Sequence, residues 1–259
     1  MNSVLNRLYS DYVMPSRMAE FERFLKTAQD LGYAQMSVRQ FVDSLRQPHC
    51  ANRKVIIHRH DIDSDLRTTR KLFQLEKKYN IRSSYYFRLS TLDFALMRDI
   101  EDYGSEASYH YEELSTYAKR HKIRDAAAIH ERMPEIREEF VANFRRIENR
   151  LGTRMNTVAS HGDFVNRKLK LRNTEILNDP TLRADCGIVC ESYDAALLDN
   201  TDLYIGDRPY PQNYYPTSPA AAIGKYNKIY LLTHPRQCET NWRENTKENL
   251  SRLYEHLTW

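Results

Sequence analysis

Apolar positions recur at helical spacing early in the chain. Met18, Phe21, Leu25, Ala28 and Leu31 share one face, and Gly32 follows as a stop. Ser37-x-x-Gln40 has the form of a capping box and predicts a second helix through Phe41, Val42 and Leu45. From residue 54 the rhythm changes to short β-branched and aromatic runs separated by amphipathic stretches. Strands are predicted at 54–60, 83–89, 106–111, 156–161, 185–191, 202–205 and 228–234. Between them, Ser64 is placed to cap a helix carrying Leu66, Leu72, Phe73 and Tyr79. Ser90-x-x-Asp93 is placed to open another that closes near Gly104. A longer helix carries Ile136, Phe140, Phe144, Ile147 and Leu151 behind Pro134, and Leu250, Leu253 and Leu257 line a last one.

Strands that alternate with helices pair in parallel, because a crossover helix is the usual way to join parallel neighbours. About seven such strands suit a closed or partly closed barrel better than a small open sheet. The expected class is α/β, with one parallel barrel over residues 54–235. A helical lead-in, 1–50, packs on it, a helix occupies 240–259, and the whole of 1–259 forms a single domain. There is no internal repeat and no low-complexity segment.

Composition narrows the function classes. At 259 residues, with 41% apolar and 29% charged, the chain can bury a sizeable core. Seven glycines exclude a collagen-like chain, and 18 tyrosines argue against disorder. The net charge of +4 is too small for a nucleic-acid footprint, so no nucleic-acid partner is expected. Basic runs at 119–124 and 167–172 read as solvated helix faces. Cys50, Cys186, Cys190 and Cys238 form no C-x-x-C pair and are expected as reduced thiols, with Cys186 and Cys190 in the core rather than on a metal. No apolar run reaches the roughly 18–20 residues of a membrane helix. Arg7 and Asp11 interrupt any signal-peptide core, so a cytoplasmic chain is expected. The oligomeric state stays open.

In an α/β barrel the carboxyl ends of the strands ring one mouth, where active sites are built. Here the first strand runs into His60-Asp61-Ile62-Asp63, the second into Arg88, and the third into His110 with Glu112 just beyond. The fourth ends in His161-Gly162-Asp163, Asp207 follows the sixth, and His234 ends the seventh. Asp61 and Asp63 share a face of an extended strand, so one can bind a metal while the other takes a proton from water. Alternatively, Asp63 and Ser64 cap the next helix. Alone, each histidine reads as a hydrogen-bonded core residue. Together, two histidines and a carboxylate form a common catalytic-zinc set that leaves a place for water. His58 and His60 lie on the face opposite Arg59 and Asp61, and His58 reads as structural. Arg88 can hold an active-site carboxylate in a bidentate pair or form an ordinary surface ion pair. Glu112 and Asp163 read as rim residues.

These residues carry a resemblance. Ile56-Ile57-His58-Arg59-His60-Asp61-Ile62-Asp63 resembles the R-H-D-V-D motif of the polysaccharide deacetylase superfamily, the NodB-homology fold. Arg82-Ser83-Ser84-Tyr85-Tyr86-Phe87-Arg88 is similar to that family's second strand, and Glu106-Ala107-Ser108-Tyr109-His110-Tyr111-Glu112 to its E-[IV]-G-x-H-Y-E. Ser160-His161-Gly162 resembles an H-G motif, and Leu231-Leu232-Thr233-His234-Pro235 a closing L-T-H-P, all in the family's order. The resemblance implies a distorted (β/α)7 barrel with extra N-terminal helices. It also implies hydrolysis of N-acyl or O-acyl groups on sugars with one divalent metal, most simply zinc. It makes Asp61 the base, Asp63 a metal ligand, His110 the first metal histidine and His234 the general acid.

The departures are specific. The better-known branch has adjacent aspartates and a second metal histidine four residues after the first, where this chain has Leu114. His161 is therefore the expected replacement ligand. The family's arginine-proline motif that orients the base is absent, leaving Arg88 or Arg59 for that task, and Arg236, Gln237 and Cys238 stand where relatives often show tryptophan. The expected activity is removal of an acetyl or formyl group from an amino sugar or glycan precursor, with Arg88, Asp207 and Arg59 orienting groups or binding substrate. Two rivals stand beside it: a catalytically silent sugar-binding relative, and a metal-dependent phosphoesterase or nuclease. The latter lacks the dense carboxylates of a two-metal site.

Overall fold

The computed structural model describes residues 3–46 and 53–259. Among these, nine strands form one sheet: β1 Ala34–Ser37, β2 Val55–Ile62, β3 Ser84–Phe87, β4 Glu106–Tyr111, β5 Thr157–Ser160, β6 Cys190–Glu191, β7 Leu203–Asp207, β8 Tyr214–Tyr215 and β9 Lys228–Thr233. They lie in the order β6-β5-β4-β3-β2-β9-β7-β8, with β1 also on β2. Every pairing is parallel except β7 with β8. β2 is the hinge of the register. Its first half pairs β1, from Ala34↔Val55 to Ser37↔His58, and its second half pairs β3, from Arg59↔Ser84 to Ile62↔Phe87.

Contacts across the sheet show that it curls. Cys190 on β6 and Tyr230 on β9 are far apart along the strand order, yet both belong to one buried cluster with Ile57, Tyr86 and Ala159. The Tyr230 hydroxyl donates to Ser192 O at 3.1 Å across that interior. No ladder joins β6 to β7 among the described residues, so the sheet is a curled half-barrel rather than a closed ring. Val38 and Phe41, from the helix Val38–Ser44, plug the end opposite the strands' carboxyl termini.

Alternation along β2 sorts its residues by face. Ile57 turns inward, whereas Ile56 packs outward with Ile229, Leu231 and Ile205 against Phe21, Phe24 and Leu25 of the helix Met18–Asp30. The outer face of β3 and β4 packs Tyr85, Phe87, Tyr109 and Tyr111 on Phe140, Phe144 and Ile147 of the helix Met133–Leu151. Phe140 is fully buried and meets Tyr111 edge to face at 5.2 Å. Phe140→Ala is expected to cost about 3–5 kcal/mol of stability, the range for an emptied aromatic core site. Denaturant unfolding checks it, and a loss below about 1 kcal/mol would mean the site collapses around the cavity.

Several expectations need correction. The predicted strand 185–191 shrinks to Cys190–Glu191: its first two residues end the helix Pro180–Cys186, which Asp179 caps and Gly187 at φ +73° stops, and Ile188 and Val189 are irregular. β1 and β8 were not predicted, because four and two residues are too short to show a period. The helix Leu66–Lys78 is capped by Asp65, which accepts from Thr68 N at 3.2 Å, not by Ser64. The helix Phe94–Asp102 is capped by Asp93, while residues Leu89–Thr91 form a separate 3-10 turn. The last helix, Trp242–Thr258, does not bury its leucines: Leu250, Leu253 and Leu257 are all exposed. Its polar side docks instead, through Asn245 and Asn249 onto Asp11. Cys186, Cys190 and Cys238 are buried free thiols, and Cys50 lies outside the described residues. No helix among the described residues is long and apolar enough to cross a membrane.

Candidate metal centre

Three side chains from three strand ends converge. His110 Nε2 lies 3.3 Å and His161 Nε2 3.6 Å from Asp63 Oδ1. That oxygen is buried and has no hydrogen-bond partner. Two ring nitrogens turned onto one unpartnered carboxylate oxygen suit a shared cation better than a hydrogen-bonded core, and Asp63, His110 and His161 fit a divalent ion as a group. The loop after β2 leaves Asp63 free for this, because Asp65 takes the helix cap. The far nitrogens each face an acceptor. His110 Nδ1 meets Ala159 O at 3.0 Å, and His161 Nδ1 lies 2.9 Å from Glu112 Oε2 without hydrogen-bond alignment. Partners on the far nitrogen fix the ring orientation of a metal-facing histidine.

Asp61 sits beside this cluster on the inner face of β2, with Oδ2 3.5 Å from His110 Nε2. Arg59, on the same face two residues back, grips both its oxygens: Nε donates to Oδ1 at 2.8 Å and Nη2 to Oδ2 at 2.7 Å. The guanidinium is fully buried and lies over the Tyr193 ring at 4.4 Å. Burial pushes the Asp61 carboxyl up, but Arg59 and then His110 outweigh it and hold it below the usual carboxylate range. Asp63 is likewise raised by burial and held well below that range by His161 and His110.

His234 closes the other side. It follows β9, and its Nδ1 lies 2.6 Å from Asp207 Oδ1, while its own backbone N–H donates to Asp207 Oδ2 at 2.5 Å. Nε2 is left facing Asp63 Oδ2 at 3.9 Å. Burial lowers this imidazole, but Asp207 first and Asp63 next raise it to about 9. His161 also reaches about 9 without a metal, as Asp63 and Glu112 overcome burial and the Arg88 charge.

Of the sequence-predicted residues, Asp61, Asp63, His110, His161, Asp207 and His234 line one cavity of about 370 Å³, and Arg59 lies directly beneath it. Arg88 does not touch Asp61. It forks onto Glu112 at 2.9 Å through both Nε and Nη2, so its carboxylate is the one behind His161. Glu112, a rim residue by its position after β4, is in fact buried, and His161 and Arg88 overcome that burial and depress its carboxyl. Asp163 caps the helix Phe164–Leu169 and pairs with Lys119. His58 and His60 face the opposite side of β2. Burial pushes His58 down to about 4, and His60 bridges Thr233 Oγ1 at 2.6 Å and Glu76 Oε1 at 2.7 Å. Glu76 had no signal beyond a charge on the buried side of its helix.

No family model matches the sequence, and no curated protein does. Among solved structures, the chain is similar to the Streptococcus pyogenes deacetylase PplD in complex with acetate, at 13% identity and a TM-score of 0.43, over 85% of this chain and 86% of that one.

Proposed function

We propose that this protein is a metal-dependent amide hydrolase that removes an acetyl or formyl group from an amino sugar, with residues 1–259 acting as one catalytic unit. The observation that carries this is the flanking of one cluster, Asp63, His110 and His161, by an arginine-held aspartate on one side and an aspartate-held imidazole on the other. The ordered resemblance of these strand ends to the polysaccharide deacetylase motifs supports the same reading. A divalent cation held by Asp63, His110 and His161, most simply zinc, supplies Lewis acidity toward the acyl oxygen and the attacking water. Asp61 accepts the proton from that water as its oxygen bonds to the acyl carbon, and Arg59 keeps the carboxylate ionised and aimed. His234 Nε2 donates a proton to the amide nitrogen as the carbon–nitrogen bond breaks, since an amine does not leave as an anion. The products are a carboxylate and a free amino sugar.

The direct test is release of acetate or formate from acylated amino sugars by the full chain with one equivalent of zinc. Release is expected, and its absence across acetyl and formyl substrates with metal bound favours the silent sugar-binding reading.

Cation binding also has a proton signature. His161 is protonated near neutral pH without metal, being raised to about 9, so a cation must displace that proton. Zinc binding is expected to release about one proton per ion, with apparent affinity rising about tenfold per pH unit up to about 9. Calorimetry in two buffers of different ionisation enthalpy reads the proton count. Binding without proton release would mean that His161 is already neutral before the cation arrives, and unchanged metal content in His161→Ala would remove it from the ligand set.

A further inference from the structure

The cavity over the cluster has a charge pattern that a neutral acylated sugar does not require. Five arginines line it: Arg7, Arg167, Arg208, Arg236 and Arg252. The carboxylates in its wall are already engaged, Asp61 by Arg59, Asp63 by the histidines and Asp207 by His234. Arg252 is balanced by Glu248 at 2.6 Å. Arg7 and Arg236 share one carboxylate, Asp11, at 2.6 and 2.8 Å. Arg167 and Arg208 are exposed and form no ion pair with any described residue.

Arg236 is the telling member. It is only 6% exposed, yet its Nη1 is buried with no hydrogen-bond partner. Burial and the neighbouring Arg7 charge push it below the ordinary arginine range, with Asp11 only partly offsetting them. A buried guanidinium beside two others, with its charge only partly balanced, favours an anion in the adjoining cavity.

We infer that this cavity takes a phosphorylated substrate, an acylated amino sugar whose phosphate or diphosphate group is anchored by Arg167 and Arg208, with the buried Arg236 charge behind them, while its acylamido group lies at the cluster. The inference rests on the proposed hydrolase reading for the sugar half and on the arginines for the anionic half. One carboxylate engages one guanidinium fork, whereas a phosphoryl group brings up to two charges and three acceptor oxygens, enough for several. A cavity of about 370 Å³ accommodates a sugar phosphate and not a nucleic-acid duplex.

The test titrates the full chain with inorganic phosphate, N-acetylglucosamine 1-phosphate and N-acetylglucosamine. Both phosphates are expected to bind, the sugar phosphate about tenfold or more tightly than the neutral sugar, and both to weaken with added salt. The R167Q/R208Q variant should lose about tenfold or more for both phosphates, while K225Q, an exposed site away from the cavity, should not change. Both replaced arginines are exposed, so the fold survives, and circular dichroism verifies this. Equal affinity for charged and neutral sugar, or no change in R167Q/R208Q, overturns the inference. Release of inorganic phosphate from the sugar phosphate overturns it too, since the phosphoryl group would then be the reacting group. Phosphate binding through the arginines without deacylation of any sugar upholds the anion site and sinks the hydrolase reading. Deacylation of neutral sugar with no arginine effect does the reverse. A final arm presents the same sugar phosphate as its polyprenyl ester in phosphatidylcholine vesicles. Preference for the soluble form assigns a free sugar phosphate, preference for the vesicle a lipid-linked one, and either upholds the phosphoryl anchor.

Discussion

Asp63→Ala and His110→Ala are each expected to lose bound divalent metal and activity together. Turnover should fall by more than the roughly 10²–10⁴-fold typical of a lost acid or base, because the electrophile and the water activation go at once. Asp63 contributes the oxygen on which both Nε2 atoms converge, so its removal leaves two histidines with no anionic partner between them. His161→Ala should behave in the same way. Glu112→Gln is a milder probe. It keeps the shape behind His161 but removes the charge lying 2.9 Å from Nδ1, and should weaken metal affinity by about 10–100-fold. Metal analysis of the purified variants reads the outcome. Full metal content in Asp63→Ala would remove it from the ligand set, and metal loss in Asp61→Ala instead would exchange the roles of the two aspartates.

Much of the site was legible because strand alternation is a strict period. The two-residue spacing in β2 puts Arg59 with Asp61 and His58 with His60 on opposite faces, as the structure has them. That parity places Arg59 on the Asp61 face, but by itself it does not choose between Arg59 and Arg88 as the group that orients Asp61. Arg88 remained an equal candidate because nothing local says which carboxylate a rim arginine meets. Glu112 follows β4 and reads as rim from its position alone. It becomes a buried partner of His161 only because β5 brings Ser160 beside Tyr111. The N-terminal helix over 18–30 was legible from its apolar spacing. The exposed leucine stripe of the last helix shows the converse, since an apolar period marks a helix without saying which face is covered. The strand error at 185–191 had a local remedy. Asp179 before Pro180, with Gly187 at the far end, is the cap, first-turn proline and stop of a short helix.

Asp61→Asn and His234→Gln are expected to keep most of the metal and still slow turnover by roughly 10²–10⁴-fold. Asp61 already has both oxygens on Arg59, so the amide loses the proton acceptor and turns an N–H toward a guanidinium, while the nearest metal ligands stay in place. His234 lies 3.9 Å from Asp63 Oδ2 and is held from behind by Asp207, a geometry suited to handing a proton outward. The pH profile separates the two. Asp61 must be ionised, and its carboxyl is held below the usual range, so the acid limb of kcat/KM lies at low pH. In the proposed mechanism His234 donates, so activity falls as pH rises through its imidazole pKa; Asp207 raises that pKa, and a cation on Asp63 offsets the share Asp63 contributes, placing the limb below the metal-free value of about 9. After burial, which lowers it, Asp207 is the largest influence on that imidazole. Asp207→Asn should therefore move the alkaline limb down toward the ordinary histidine value of 6.5, with little change in metal content. An alkaline limb unmoved in Asp207→Asn, or full activity in His234→Gln, would assign the leaving-group proton to a different donor.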